Sequence, residues 1–230
     1  MTTAETVGNY LNLAEAAEAA ENHEEAYQYF TRALEADPRN ARAWLGKGTA
    51  AGWGSNLRTD RLKEAIAGMQ RAIQMDAGLN AKAARALTDI LESYYALSDT
   101  HTREFVAVDG TFSEHVERCN SILASARQVH EWDPRARPAL DLVVSITDVL
   151  FEAMLHGFEN ERVLGPDKYP EFLEAEKDWA VGKIKELDPT YKETKVGLGG
   201  GCLVWSIALA VILLGGVGVL MFLAKMSKGE

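Results

Sequence analysis

Four segments with similar endings divide this chain into successive units. "LEADPRN" at 34–40, "HEWDPRA" at 130–136 and "KELDPTY" at 185–191 each place an apolar or aromatic residue before Asp-Pro, and "IQMDAGL" at 73–79 keeps the Asp without the proline. Proline lacks a backbone N–H and its ring clashes with the preceding helical turn, so it ends a helix, and its fixed φ suits the start of the next. The endings therefore predict junctions between helices.

The residues before the first ending carry the spacing of two amphipathic helices. Apolar residues recur at i, i+3, i+4 and i+7 on either side of the polar turn "ENHEE". The predicted faces are Tyr10, Leu13, Ala14 and Ala17 in the first helix, and Ala26, Tyr27, Phe30, Ala33 and Leu34 in the second. This pattern predicts a helical hairpin that ends at Asp37-Pro38.

Residues 7–40 form a 34-residue unit that resembles a tetratricopeptide repeat. The positions that carry the resemblance are Tyr10, Leu13, Ala14, Ala17, Ala26, Phe30, Ala33 and Pro38. Residues 41–79 continue it, although the turn "GSNLRTD" has five extra residues and Ala77 replaces the proline. The matching positions there are Trp44, Gly48, Ala65, Met69 and Ala72.

The resemblance is loose from residue 80 to residue 190, where mainly the endings remain. Helices at about 81–97 and 113–132 should flank the loop "SDTHTREFVAVDGTF", and helices at about 137–158 and 170–187 should flank "ENERVLGPDKY". The expected fold is all-α: an N-terminal extension at 1–6, then a tetratricopeptide-like solenoid of about four hairpins over 7–190. The hairpins are 7–40, 41–79, 80–136 and 137–190.

Residues 203–224 contain no charged side chain over 22 positions. At ~1.5 Å per residue a helix of this length spans roughly 33 Å, enough to cross the ~30 Å hydrocarbon core of a bilayer. The sequence therefore predicts a single transmembrane helix, preceded by a flexible linker at 191–202 and followed by a short tail at 225–230.

The expected topology is that of a tail-anchored, single-pass membrane protein with a cytosolic N-terminal domain, because no signal peptide precedes the span and six residues follow it. Four lysines lie within ~20 residues on the N-terminal side of the span, which agrees with the positive-inside rule. They are Lys183, Lys185, Lys192 and Lys195. The sequence does not indicate which membrane holds the span.

The charge balance excludes one class of partner. The formal net charge is −10, and it becomes −11 when the two lysines and one glutamate of the tail are left out. An acidic body is unsuited to nucleic acid, which requires basic surfaces for its phosphates. The two cysteines, Cys119 and Cys202, are too few for a disulfide framework and suit a reducing compartment.

The sequence offers little catalytic chemistry. His115 and Cys119 are spaced i, i+4 on a predicted helix as in half a metal site, but no second pair follows at ligand spacing. Asp141, Asp148 and Glu152 form an acidic stripe that is typical of a solvated helix face rather than of a general acid–base pair. We therefore expect no enzyme activity, no metal site and no cofactor.

The resemblance implies a protein-binding groove lined by the first helix of each hairpin. Transferred by repeat position, the groove residues are Leu11, Asn12 and Glu15 in the first unit, Arg42, Leu45 and Thr49 in the second, Lys82, Arg85 and Asp89 in the third, and Asp141 and Ser145 in the fourth. One branch of the family clamps the acidic C-termini of chaperones with Lys and Asn at fixed positions. Leu11 and Glu15 occupy two of those positions here, so the clamp is not expected.

Two functional hypotheses follow. The first is a tail-anchored scaffold or adaptor that holds a protein partner at the cytosolic face of a membrane, with lipid contacted through residues 203–224. The alternative is a structural or assembly subunit of a larger membrane complex. Small residues in the span permit close helix packing, which leaves homo- or hetero-oligomerisation open. These residues are Ser206, Ala210, Gly215, Gly216 and Gly218.

Overall fold

The computed structural model describes residues 2–105, 107–155 and 169–193. Over these residues the chain folds into eight α-helices, with a short 3₁₀ turn at Ala77–Leu79. The helices are α1 Thr3–Ala19, α2 His23–Ala36, α3 Ala41–Trp53, α4 Leu62–Met75, α5 Asn80–Glu104, α6 Thr111–Trp132, α7 Arg137–Leu155 and α8 Tyr169–Leu187. The described residues contain no β-strand, only an isolated bridge between Asn56 and Thr59.

Consecutive helices pair as hairpins, as expected for a tetratricopeptide-like solenoid. α1 packs on α2, α3 on α4, α5 on α6 and α7 on α8, while α2–α3 and α6–α7 contacts join successive hairpins. Because neighbours joined by short connections run antiparallel, the first helices of the hairpins are parallel to one another. The all-α prediction is confirmed for this part of the chain.

The early helix starts are fixed by side-chain caps. Thr2 and Glu5 form a capping box, in which each side chain accepts a hydrogen bond from the other residue's backbone N–H. The Asn22 side chain accepts from the Glu25 N–H at 3.3 Å at the start of α2, and Asn40 accepts from the Ala43 N–H at 2.9 Å at the start of α3. Local sequence thus sets where these helices begin.

The four endings that divide the sequence adopt one turn geometry. Each Asp donates its backbone N–H to the carbonyl four residues earlier, which closes the second helix of a hairpin. Its carboxylate then accepts the N–H two residues later. The Asp37 carboxylate accepts the Arg39 N–H at 3.0 Å, Asp76 accepts that of Gly78 at 2.9 Å, Asp133 accepts that of Arg135 at 3.0 Å, and Asp188 accepts that of Thr190 at 3.0 Å. All four repeated endings therefore fold as Asx-type turns.

The interior is built from small residues in the first two hairpins and from larger ones further on. Ala14, Ala26 and Ala33 are fully buried between α1 and α2, as their spacing predicts. A larger cluster runs from α3 to α8 and includes Leu87, Ile122 and Leu140. Small residues allow close helix approach, whereas the later hairpins fill their interior with longer aliphatic side chains.

The structure differs from the sequence-based expectations in α1 and at the end of α5. Leu13, assigned to the core face, is 46% exposed, and Leu11, assigned to the groove, is buried at 7% exposure. The buried stripe of α1 is Val7, Leu11, Ala14 and Ala17. In addition, α5 continues to Glu104 through part of the predicted loop, where Ser98 and Thr102 are buried instead of facing solvent and Ser98 contacts His115 of α6.

Among the described helices, none combines the length and the apolar character that crossing a membrane requires. The predicted span at 203–224 and tail at 225–230 lie outside the described residues, as does the linker from residue 194 onward. Most of the predicted loop "ENERVLGPDKY" also lies outside them. Residues up to Tyr191 form one compact unit.

Candidate protein-binding groove

A cleft of about 150 Å³ opens between the first helices of the first three hairpins. α1, α3 and α5 form its sides, and Phe30 of α2 reaches it from behind. Five of the residues expected in the groove line this cleft: Glu15, Arg42, Leu45, Thr49 and Lys82. The structure therefore brings together part of the predicted set.

The floor of the cleft is apolar and depends on a glycine. Phe30 and Leu45 lie there at 2% and 4% exposure, next to Gly46 and Ala86. A Cβ atom on Gly46 would overlap the Phe30 ring, so only glycine at this position lets the ring lie beneath α3. The second helix of the first hairpin thus contributes to a surface formed mainly by first helices.

The rim carries both signs of charge. Arg42 of α3 forms a salt bridge with Glu15 of α1. Both side chains are substantially exposed, so this ion pair contributes little to stability. Either side chain can therefore leave this ion pair and bind an oppositely charged group of a ligand.

Glu18 is the electrostatically perturbed group of the cleft. Burial raises the pKa of its carboxyl, the neighbouring Glu15 raises it further, and Lys82 and Arg42 oppose the rise. The two carboxylates and two cations are therefore close enough to influence one another. A charged ligand group entering the cleft would change this balance.

The remaining predicted residues do not line the cleft. Leu11 is buried in the core of the first hairpin and is not among the residues that line this cleft. The others are exposed on α1, α5 and α7 outside the cleft, where Asp141 accepts a hydrogen bond from Arg137 at 3.2 Å. These others are Asn12, Arg85, Asp89, Asp141 and Ser145.

Four lining residues do not follow from the repeat positions: Glu18, Phe30, Gly46 and Ala86. Glu18 follows Glu15 at i+3, and Ala86 follows Lys82 at i+4, so each lies on the same helix face as a predicted groove residue. Extending each predicted face by one helical turn would have included them. Phe30 and Gly46 occupy positions where a core residue and a helix-packing glycine are the usual interpretation. Their exposure to the cleft follows from the packing of α2 on α3 and has no separate sequence signal.

The described residues hold no group of three or more His, Cys, Asp or Glu side chains arranged for a metal ion. His115 and Cys119 do approach each other, with Nε2 and Sγ 3.5 Å apart, and Ser98 Oγ lies 2.9 Å from His115 Nδ1. All three side chains are buried. Burial lowers the pKa of His115 and raises the pKa of the Cys119 thiol, so both groups are neutral and serve as core polar contacts.

The acidic stripe on α7 is engaged in ion pairs. Lys177 of α8 lies 2.7 Å from Asp148, and Arg137 pairs with Asp141. The Lys177–Asp148 pair joins α8 to α7, whereas Arg137 and Asp141 lie on the same helix and their largely exposed pair contributes little to stability. Asp141 is exposed, as the solvated face predicted from the sequence requires, whereas the Asp148 side chain is 22% exposed beside Lys177.

Comparison with known families connects this geometry to a repeat type. Residues 7–50 match the sequence profile of the tetratricopeptide repeat, which covers α1, α2 and most of α3. This match supports the resemblance drawn from the signature positions. Comparison with curated proteins found no match to this chain.

Proposed function

We propose that this chain is a membrane-anchored scaffold that binds a segment of a protein partner in the cleft between α1, α3 and α5. The observation that carries the proposal is the cleft itself, with an apolar floor and a rim of mixed charge on the side where the first helices meet. Tetratricopeptide repeats generally mediate protein–protein interaction, and the family match covers the helices that form two sides of this cleft.

The dimensions of the cleft favour a single apolar anchor side chain. A cavity of about 150 Å³ with apolar walls accommodates a benzene-sized group. Phe30, Leu45 and Ala86 supply such walls. This apolar side chain of the partner would enter the cleft between Glu15 and Lys82. Glu15 and Lys82 would then contact charged residues on either side of that side chain in the partner.

Residues 203–224 are proposed as the membrane anchor, with the helical hairpins on the cytosolic side. The support is the uncharged length of this segment and the lysines that precede it in the sequence. An anchored scaffold would limit its partner to the membrane surface, which raises the effective concentration of the two proteins there.

Co-purification from gently solubilised membranes tests the groove. Lys82→Glu/Arg85→Glu reverses two exposed cations on α5, one of which lines the cleft. We expect a specific partner to be recovered with the wild type and reduced about tenfold or more with this variant, since reversed charges repel what they attracted. The matched control is Arg135→Glu, whose side chain is 84% exposed in a turn outside the cleft.

Equal helix content by circular dichroism would establish that the double variant is folded. Recovery of the same stoichiometric set of membrane proteins with wild type, variant and control would contradict groove binding. That result would instead support a built-in subunit of a larger membrane complex.

Extraction of membranes at alkaline pH separately tests residues 203–224 as the membrane anchor. Leu213→Arg places a charge near the centre of the 203–224 segment and costs insertion about 2.5–3.5 kcal/mol. The wild type should remain in the membrane pellet, and Leu213→Arg should move into the supernatant. A matched Leu213→Val control should stay in the pellet. Release of the wild type itself would show that the segment does not anchor the chain.

A further inference from the structure

A second and larger cleft, of about 940 Å³, lies between the second and third hairpins. Its sides are formed by α4, α6 and the connection between α3 and α4, and Tyr94 of α5 contributes to its lining. It shares no lining residue with the cleft between α1, α3 and α5. The two clefts therefore form separate surfaces.

The extra residues of the second unit build this cleft. The connection at 54–61 is held by a bridge between Asn56 and Thr59 and then reaches α6. Arg118 of α6 donates to the carbonyl of Leu57 at 2.7 Å, and Ser121 donates to the carboxylate of Asp60 at 2.8 Å. These bonds hold the cleft in shape before any ligand binds.

The lining contains an apolar strip that is available for contact. Ile66 of α4 and Leu57 of the connection are only partly buried, and Ala124 of α6 is exposed. Tyr94 of α5 also lines the cleft and is buried, at 4% exposure. The strip is narrow and made of small and medium side chains.

Unpaired charges of opposite sign lie on the two sides. Arg58 and Lys63, on the side of the second hairpin, form no ion pair with any residue in the described part of the chain. On α6, Glu117 likewise forms none within those residues, whereas Glu114 pairs with Arg118 at 2.8 Å. Asp60 lies on the same side as Arg58 and Lys63, and its carboxylate accepts hydrogen bonds from Ser121 and from the Leu62 N–H. That side therefore keeps a net positive charge that attracts carboxylates, and the α6 side keeps a net negative charge that attracts a cation.

We propose that this cleft binds an α-helix of a second protein partner, with acidic residues along one edge of the helix and a basic residue along the other. A helix laid between α4 and α6 would place a narrow apolar face on Ile66 and Ala124, which is the helix-in-groove mode of recognition. Its acidic edge would face Arg58 and Lys63, and its basic edge would face Glu117.

The volume agrees with such an occupant. One turn of helix, about 10 Å wide and 5.4 Å long, fills on the order of 420 Å³, so 940 Å³ corresponds to about two turns. Two turns present two or three positions on one face, which suits the short apolar strip. The chain would then join two partners through two surfaces, and this second surface does not depend on the groove proposal.

Site-specific photocrosslinking of the full chain in its native membranes tests the proposal. Ala124→p-benzoylphenylalanine places the crosslinker in the cleft, and the same substitution at the exposed Ala19 of α1 is the matched control. We expect one crosslinked protein from position 124 only, with the crosslinked peptide mapped by mass spectrometry to a helix carrying the two charged edges.

Charge reversal identifies the contacts. In the crosslinking background, Lys63→Glu should reduce the product about tenfold, and reversing the facing carboxylate of the partner to Lys should restore it. Arg42→Glu, in the other cleft, should leave the product unchanged. Loss of the product with Arg42→Glu would place binding in the groove and overturn the proposal.

Three further outcomes would overturn it. These are absence of any product from position 124, a product formed with a second copy of this chain or with a segment lacking the charged edges, and a product insensitive to Lys63→Glu. If Lys63→Glu reduces helix content, Lys63→Gln is used instead, with an expected reduction of about threefold from the loss of attraction alone.

Discussion

Gly48 and Gly68 face each other across the α3–α4 hairpin at a distance that leaves no room for a side chain. A Cβ atom on Gly68 would lie 2.9 Å from the Cα and 3.1 Å from the backbone nitrogen of Gly48. A Cβ atom on Gly48 would lie 2.7 Å from the carbonyl oxygen of Ala65. The obstructing atoms are backbone atoms, so neither helix can relieve the overlap by moving a side chain.

Gly68→Ala should therefore lower the free energy of unfolding by about 1–3 kcal/mol, because α3 and α4 must separate. Chemical denaturation of the full chain in mild detergent, followed by circular dichroism, measures this change. Gly182→Ala in α8 is the matched control, since no atom lies within 4 Å of its added Cβ. The control should gain about 0.4–1 kcal/mol from the reduced entropy of the unfolded chain. Equal stability of Gly68→Ala and wild type would contradict this close approach.

The turn at Asp76 matches the other three although it lacks their proline. Its carboxylate accepts the Gly78 N–H at 2.9 Å, and φ and ψ at Asp76 are −145° and 99°, against −142° and 91° at Asp37. Ala77→Pro should raise the free energy of unfolding by about 0.4–1 kcal/mol, because the native turn already suits proline and the unfolded chain loses freedom.

Thermal unfolding of the full chain compares Ala77→Pro with wild type and with Ala77→Gly. The glycine variant should unfold at a lower temperature, since it enlarges the freedom of the unfolded chain. A lower melting temperature for Ala77→Pro would show that the four turns differ in backbone conformation at this position.

Periodicity predicted the helical hairpins and their junctions because both depend on local chemistry. The spacing of Ala14, Ala26 and Ala33 depends only on the helical repeat, and the Asp of each junction uses hydrogen bonds within four residues. Such features can be recognised within a short segment of the sequence, without knowing what packs against it. The groove positions of Glu15 and Lys82 come instead from the family resemblance, transferred by repeat position, and both residues line the cleft.

Features that depend on contacts between distant segments were not predictable in this way. The sequence pattern predicts a loop at Ser98, but its hydroxyl contacts His115 across the α5–α6 hairpin and α5 continues past it. The sequence pattern predicts a core position for Phe30, yet its ring also forms the floor of a cleft, because the absence of a Cβ on Gly46 lets the ring lie beneath α3. Helical spacing groups residues on one face but does not show which neighbour covers that face.

The reversed positions of Leu11 and Leu13 provide a third test. Leu11→Ala should lower the free energy of unfolding by about 2–5 kcal/mol, since it removes a buried side chain from the first hairpin. Leu13→Ala should change it by no more than about 0.5 kcal/mol, because that side chain is 46% exposed. Denaturant titration of both variants checks the difference. A larger loss for Leu13→Ala would restore the assignment based on the repeat signature.

Buried His115 makes the third hairpin sensitive to acid. Burial lowers the pKa of its imidazole, Asp99 opposes this effect, and Arg118 and Arg103 add to it. Because the pKa is below that of the unfolded chain, near 6.5, the unfolded state binds more protons as the pH falls. The contribution of His115 to the free energy of unfolding is therefore fully present above about pH 6.5. It is lost as the pH falls below this value, by up to ~1.4 kcal/mol for each pH unit until the folded pKa is reached.

His115→Gln removes this dependence, since the amide can still contact Ser98 but does not titrate. The free energy of unfolding of the wild type should fall more steeply between pH 7 and pH 5 than that of the variant. His130, whose pKa is lowered by burial and by Lys183, remains in both proteins and contributes equally to both pH profiles. Parallel pH profiles for wild type and His115→Gln would show that the imidazole is charged in the folded protein, with water or a carboxylate reaching it in the α5–α6 interface.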